Sequence, residues 1–190
     1  MNSSSAAPAA VRVIEGELPG ILILEPRVFG DARGFFFESY NERTMAEAGI
    51  GAHFVQDNHS LSARGVLRGL HYQLRQPQGK LIRVVTGEIF DVAVDLRQSS
   101  AAFGKWCGAL LSGESKRMLW IPAGFAHGFH VLSESAHVLY KATDYYSGAD
   151  EHCIVWNDPD LAIDWRLAGL PTLSPKDASG LSFRDAAKFP

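Results

Sequence analysis

The chain has 190 residues, with 18 Lys and Arg against 21 Asp and Glu, a formal net charge of −3 and 46% hydrophobic residues. That is the make-up of an ordinary globular protein, and the length suits one domain of the all-β kind. A negative balance argues against general affinity for nucleic acid, so any anion site must be a local cluster of Arg and Lys, and apolar runs as short as 21–24 fall far below the roughly 20 residues that span a bilayer.

Residues 1–12 read as a disordered leader, rich in Ser, Ala and Pro over 1–10, without the basic and apolar regions of a signal peptide. A single domain is expected over 13–190, in the cytoplasm. Short β-branched and aromatic runs broken by Gly, Pro, Asn and Asp predict strands over 21–25, 34–40, 53–61, 66–73, 80–86, 88–96, 103–111, 116–121, 128–133, 137–146 and 154–156. Turns fall at Phe29-Gly30-Asp31, Gln76-Pro77-Gln78-Gly79, Thr86-Gly87 and Ser112-Gly113. One helix is clear over 42–48, with Asn41 as N-cap, Met45 and Ala46 turned inward and Gly49 as its stop. The tail after Asp158 reads as turns and short helices packed on the barrel. Many strands with few helices point to an all-β, jelly-roll barrel whose interior or mouth holds one small ligand.

Strand 88–96 has the cleanest period of two. Phe90, Val92, Val94 and Leu96 share an apolar face, while Ile89, Asp91, Ala93 and Asp95 share the other. Structural pairing with Arg or backbone accounts for Asp95; for Asp91 the structural and functional readings weigh equally. Cys107 and Cys153 sit in no motif and are expected as free thiols.

Chemistry concentrates between Gly65 and Arg83, where His71 lies among Arg68, Lys80 and Arg83. An imidazole is the proton-transfer group of neutral pH, and a nearby cation stabilises the anion left by proton abstraction. This pattern points to an acidic C–H in an anionic substrate. Arg68 and His71 fall on opposite faces by strict alternation, so if both reach one site Gly69 must mark a bulge or a strongly coiled strand.

The histidines also raise a metal. Gly65 to His71 and Pro122-Ala-Gly124-Phe-Ala-His127 keep two spacings of the cupin metal motifs. The second histidine of the first motif is Gln73, and Pro77 and Gln78 stand where its Glu belongs. Two histidines leave a divalent ion short of its usual ligands, and alternation turns His130 to the other face. The sequence therefore resembles a cupin that has kept the pocket without the metal, and activity without metal or cofactor is expected. Proton transfer then falls to His71, His127, Tyr140 and Lys80. Each also has an ordinary structural role available, as a core imidazole, a loop histidine, a core aromatic or a strand-end charge. Arg33, Arg68, Lys80, Arg83, Arg117 and Lys176 are the anion-binding candidates, with surface charge the better account of Arg83 and Arg117.

Seven blocks carry a closer resemblance. They are Phe29-Gly-Asp-Ala-Arg33-Gly-Phe-Phe-Phe-Glu38-Ser-Tyr, Phe54-Val-Gln56-Asp57-Asn58-His59-Ser, Val66-Leu-Arg68-Gly-Leu-His71, Gln78-Gly-Lys80-Leu, Trp120-Ile-Pro-Ala-Gly-Phe-Ala-His127-Gly-Phe, Leu139-Tyr140-Lys-Ala-Thr-Asp-Tyr-Tyr146 and Leu173-Ser-Pro-Lys176-Asp177-Ala. Together, from about Leu22 to Asp177, they resemble the dTDP-4-dehydrorhamnose 3,5-epimerase family, metal-free cupin-like barrels that invert positions 3 and 5 of dTDP-4-dehydro-6-deoxy-glucose. The resemblance implies His71 as base with Asp177 as its partner, Tyr140 as acid on the opposite sugar face and Lys80 beside the 4-keto oxygen. It implies Arg33, Glu38, Gln56, Asn58, Arg68, His127, Glu151 and Lys176 as nucleotide-sugar contacts and Tyr146 as the residue stacked on thymine, with Asp57 inside the same block. It further implies a homodimer through residues 21–40, Arg33 or Glu38 reaching the partner's site, and no nucleic-acid or membrane partner. Two other readings share these residues: a single-centre epimerase acting on another dTDP-4-keto-deoxysugar, and a non-catalytic cupin that only binds a nucleotide sugar.

Overall fold

A computed structural model describes residues 10–190. In chain order its elements are β1 (Val11–Glu15), β2 (Leu22–Pro26), β3 (Phe29–Asp31), β4 (Gly34–Phe36), α1 (Glu42–Glu47), β5 (Gln56–Ala63), β6 (Leu67–Gln73) and β7 (Lys80–Thr86). There follow β8 (Glu88–Asp95), β9 (Trp106–Ser112), β10 (Met118–Ile121), β11 (Phe125–Val131), β12 (Ser135–Ala142), β13 (Glu151–Cys153) and α2 (Pro175–Ala178). A six-stranded sheet runs β1-β2-β10-β7-β12-β5 and a five-stranded sheet runs β13-β6-β11-β8-β9, while β3 and β4 form a separate hairpin. Every pairing between these strands is antiparallel. This is the expected all-β, cupin-like jelly roll with short peripheral helices.

Burial explains why it closes. Ile82, Val84, Leu119, Ile121 and Val138 of the larger sheet meet Ile89, Ala93, Leu111, Phe125, Phe129 and Val131 of the smaller one in a shared interior. The tail then covers the back of the smaller sheet, where Ile154, Leu161, Trp165 and Ala186 pack on Leu67, Leu70, Phe90, Val92 and Val94. On the back of the larger sheet, Met45 and Ile50 pack on Leu24, Leu81, Met118 and Trp120. Each sheet is thus covered on both faces over much of its area, and apolar burial of this kind is the dominant favourable term in folding.

Several expectations shift. β1 starts at Val11, two residues before the expected domain start, and pairs in register with β2; residues 1–9 of the expected leader lie outside the described residues. Phe29-Gly30-Asp31 is a strand rather than a turn, and the turn falls between Asp31 and Gly34. The strand expected over 34–40 stops at Phe36, and the one over 137–146 stops at Ala142. Glu151–Cys153 replaces 154–156 as the strand beside β6. In α1, the Asn41 side-chain oxygen accepts from the backbone N–H groups of Arg43 and Thr44, and Met45 is buried as expected, but Ala46 faces solvent. Six residues give one apolar position toward the sheet, and Ile50 beyond the helix supplies the next.

The bulge at Gly69 is present. Opposite β11, Phe129 pairs with Arg68 while His127 pairs with His71, so β6 carries one extra residue. That extra residue turns Leu67, Leu70 and Tyr72 to the tail-covered face, and leaves Arg68 and His71 on the same cavity. Gly69 has φ +129°, and a Cβ there would lie 2.5 Å from the Gly128 Cα and 2.9 Å from the His127 carbonyl oxygen. Gly69→Ala is expected to cost about 2–4 kcal/mol from backbone strain plus overpacking. Denaturant titration checks this; a loss within the noise would mean that β6 relaxes without the bulge.

Candidate active site

The site lies between the two sheets, in an open cavity of about 360 Å³. From the smaller sheet come Arg68, His71 and Gln73 on β6, His127 on β11 and Glu151 on β13. From the larger sheet come Asn58 and Ser60 on β5, Lys80 on β7 and Tyr140 on β12. The alternation of each strand decides this. Asn58, Ser60 and Ser62 point inward from β5, as do Ala136, Val138 and Tyr140 from β12, so His71 and Tyr140 face the cavity from opposite walls.

His71 Nε2 lies 2.7 Å from Asp177 Oδ1. The approach is off the line of a well-aligned hydrogen bond, and the buried nitrogen has no other partner among the described residues. Asp177 is delivered by α2, and its carboxylate accepts hydrogen bonds from the Gly69 N–H (3.1 Å) and the Ser174 hydroxyl (2.6 Å). Burial alone would raise the Asp177 pKa; the close approach of His71 and the hydrogen bonds from Ser174 and Gly69 outweigh it and hold the carboxyl far below the usual range. Asp177 is therefore an anion at neutral pH, fixed against the imidazole.

A second dyad lies beside the first. His127 Nε2 sits 2.9 Å from Asp91 Oδ1, both buried, and His127 pairs with His71 across β11 and β6. Burial pushes the His127 pKa down, against the pull of Asp91. The carboxylate face of β8 therefore points into the barrel rather than to solvent, and its apolar face lies under the tail. Asp95, by contrast, is tied to Arg97 and Ser100 away from the cavity, as structural pairing required.

Lys80 is only 8% exposed, and burial lowers its pKa to about 8 although Asp91 and Glu151 pull the other way. Tyr140 is half-buried, and its pKa is raised first by burial and then by Glu151, so its phenol keeps the proton at neutral pH. At the rim, Lys176 Nζ lies 2.6 Å from Glu151 Oε1, and the Tyr146 hydroxyl donates to Glu151 Oε2 at 2.8 Å. Gln56 links this rim to β5, donating to Asn58 Oδ1 and accepting from the Tyr146 N–H. Arg68 is held toward the cavity by Ser62.

Three expected contacts lie elsewhere in this chain. Asp57 points from the outer face of β5 and pairs with Lys141 at 2.9 Å, because it alternates with Gln56 and Asn58. Arg33 sits in the exposed β3–β4 turn, paired with Asp31 at 2.6 Å. Glu38 accepts from Asn41 Nδ2 and Thr44 Oγ1 at the start of α1. Arg117 pairs with Glu25, as a surface charge would. His130 faces away from the cavity, with Nδ1 3.0 Å from the Trp165 carbonyl oxygen. Asp91, Ser60, Gln73 and Gln78 complete the site beyond the expected set. Gln73 donates to the Gln76 and Tyr145 carbonyl oxygens and accepts from the Ser147 N–H, clamping the loop that carries Tyr146. Its only sequence signal was its place in the cupin motif.

The arrangement offers an imidazole backed by a carboxylate, a phenol on the opposite wall, a buried lysine, and cations at the rim for an anion. The family model for dTDP-4-dehydrorhamnose 3,5-epimerase matches residues 15–185. A dTDP-4-dehydrorhamnose 3,5-epimerase from Pseudomonas aeruginosa is 64% identical over 174 residues, covering 91% of this chain and 96% of the relative. The crystal structure of a dTDP-6-deoxy-D-glucose-3,5-epimerase from Legionella pneumophila in complex with dTDP-4-keto-L-rhamnose superposes with a TM-score of 0.89 at 52% identity, covering 92% of this chain and 94% of that one. A 3'-monoepimerase from Streptomyces bikiniensis in complex with dTDP-quinovose has a TM-score of 0.82 at 31% identity, over 87% of this chain and 85% of that one.

Proposed function

The chain belongs to the dTDP-4-dehydrorhamnose 3,5-epimerase family, and on that premise we propose that it inverts positions 3 and 5 of dTDP-4-dehydro-6-deoxy-D-glucose to give dTDP-4-dehydro-L-rhamnose. The observation that carries the reading is the His71–Asp177 pair on one wall of the cavity with Tyr140 on the other. The 4-ketone makes the neighbouring C–H acidic. His71 takes that proton, and the anionic Asp177 stabilises the imidazolium that forms. The electron pair moves onto the ketone oxygen, where Lys80 stabilises the enolate. Tyr140 then protonates the opposite face of the same carbon and recovers its proton from solvent, while the His71 imidazolium releases its proton to solvent and is ready to act again. The same cycle at the other carbon beside the ketone completes the double inversion. Arg68 and the Lys176–Glu151–Tyr146 rim suit a diphosphate and a base. Asn58 and Gln56 supply neutral polar contacts, and His127 is held in place by Asp91.

The test is incubation with dTDP-4-dehydro-6-deoxy-D-glucose in deuterated water, with NMR of the product. Deuterium at both positions in the L-rhamno product supports the double inversion. Deuterium and inversion at one position make the protein a single-centre epimerase, the activity of the Streptomyces bikiniensis relative. No exchange at either position overturns epimerisation and leaves a binding cupin.

Lys80 makes a pH prediction. With its pKa lowered to about 8, kcat/KM should fall through one ionisation near that pH as the ammonium is lost. Stability should not fall with it. A lysine titrating at about 8 when folded and about 10.5 when unfolded releases its proton earlier in the folded state. The unfolded chain therefore binds more protons over that window, and this group adds stability as pH rises through it. Residual activity of Lys80→Arg, which stays charged, should lack the limb. An unchanged limb in that variant would assign the ionisation elsewhere.

We also propose a homodimer through residues 21–40. Phe29, Phe35 and Phe36 are 52%, 61% and 71% exposed on the β3–β4 hairpin, a cluster of aromatic surface that a partner would cover. Arg33 and Glu38, remote from the cavity of their own chain, would then serve the partner's site. Sedimentation of the wild type at micromolar concentration should give a dimer, and Phe35→Ser with Phe36→Ser should weaken it. A fully active monomer rejects the interface. A cytoplasmic location is the reading supported by Cys107 and Cys153, which are both free. Among the described residues no helix is long and apolar enough to cross a membrane.

A further inference from the structure

Among the described residues, one group of three ligand-type side chains converges on a point: His71, Cys153 and Asp177, whose donor atoms all lie within 4.8 Å of one another. The fold brings them together from three elements. Cys153 on β13 pairs directly with His71 on β6, and α2 supplies Asp177. The set differs from the cupin set. Gln73 is committed to the loop over the cavity and His127 is committed to Asp91. Cys153 has no part in the proton-transfer scheme, and its thiol makes only a 3.6 Å contact with the Ile154 carbonyl oxygen.

We propose that His71, Cys153 and Asp177 form a three-ligand Zn²⁺ site that, when filled, reversibly switches the enzyme off. Two observations carry this. The first is the donor set itself: nitrogen, sulfur and carboxylate oxygen are the ligands zinc takes, and three of them with an open fourth position are a known arrangement. Bonds of about 2.0–2.3 Å at tetrahedral angles put the donors roughly 3.3–3.6 Å apart, so the 2.7 Å His71–Asp177 approach must widen and separations of up to 4.8 Å must shorten as the group closes on an ion. The second is the buried His71 Nε2, which sits 2.7 Å from Asp177 Oδ1 without an aligned hydrogen bond. An ion there gives the nitrogen a partner, while Asp177 Oδ1 already accepts the Gly69 N–H. On binding, the Cys153 thiol loses its proton to solvent as the Zn–S bond forms, and the neutral His71 ring carries its proton on Nδ1 while the Nε2 lone pair goes to the metal. A base coordinated in this way has no lone pair for a C–H, so proton abstraction stops. The fourth position is left to water.

The switch rests on the epimerase reading, but the site is tested without it. Co²⁺ added to the wild-type protein should give a thiolate-to-cobalt charge-transfer band in the near ultraviolet. The band should persist in Cys107→Ser and vanish in both Cys153→Ser and Cys153→Ala. Zn²⁺ should abolish turnover of the wild type, and a chelator should restore it. Cys153→Ser should keep wild-type turnover in the absence of zinc, while its zinc sensitivity falls by at least the roughly 10–100-fold that even the loss of an outer partner costs a metal site. No band in the wild type, a band that survives in Cys153→Ser, or unchanged zinc sensitivity of that variant each overturns the proposal. A failed band leaves the epimerase reading untouched, and a protein without turnover still reports the site through cobalt.

Discussion

Replacing His71 by Asn is expected to lower epimerisation by about 10²–10⁴-fold, the contribution of a positioned general base. Nucleotide binding should survive, because Arg68, Lys176 and Tyr146 reach the cavity from other positions. Asparagine keeps the size and a polar edge, so the loss reports lost basicity rather than a collapsed wall. Asp177→Asn should lose activity as well. Its carboxylate is held anionic by Gly69 and Ser174 as well as by His71, and a neutral amide cannot stabilise an imidazolium. Wash-in of solvent deuterium is the direct readout. If His71→Asn exchanges deuterium into the sugar at the wild-type rate, the base is another group, and His127 with Asp91 is the next dyad to test.

The second large effect is expected at Tyr140, where exchange and inversion should separate. Reprotonation from the side of the base only regenerates substrate, so inversion needs a donor on the opposite wall. Tyr140 comes from the opposite sheet, and burial keeps its phenol protonated. In Tyr140→Phe, His71 should still remove and return a proton, so deuterium enters with configuration largely retained, while inverted product drops by about 10²-fold or more. If the tyrosine were only a wall of the pocket, the phenylalanine variant would bind less well with inversion keeping pace with exchange. That ratio, rather than the rate alone, decides the role.

Much of the site was legible in the linear sequence because its determinants are local. The period of two in residues 88–96 and the β-branched run of 80–86 need no partner to be read, and these became β8 and β7 within a residue. Asn41 ahead of a helical stretch and Gly49 after it mark α1 by backbone chemistry alone. The motif blocks carried the family, and the bulge at Gly69 followed from asking how Arg68 and His71 could share one cavity. Short strands were harder. A three-residue strand such as β3 has no period to detect, and Phe29-Gly30-Asp31 has the composition of a turn.

What only the tertiary structure decided was which face of each strand is inside, and what each polar group meets there. Alternation separates Asp91 from Phe90, yet the tail buries the apolar face, so the carboxylate face lines the barrel and Asp91 meets His127. The same alternation cannot tell that Asp57 faces outward while Gln56 and Asn58 face the cavity, because the inner face of an edge strand is defined by the sheet opposite. Nor does any sequence window contain the burial that lowers the Lys80 pKa, or the convergence of His71, Cys153 and Asp177. Those properties belong to the space between elements distant in the chain. The dielectric, the alignment and the ligand distances there exist only once both sheets have closed and the tail has packed.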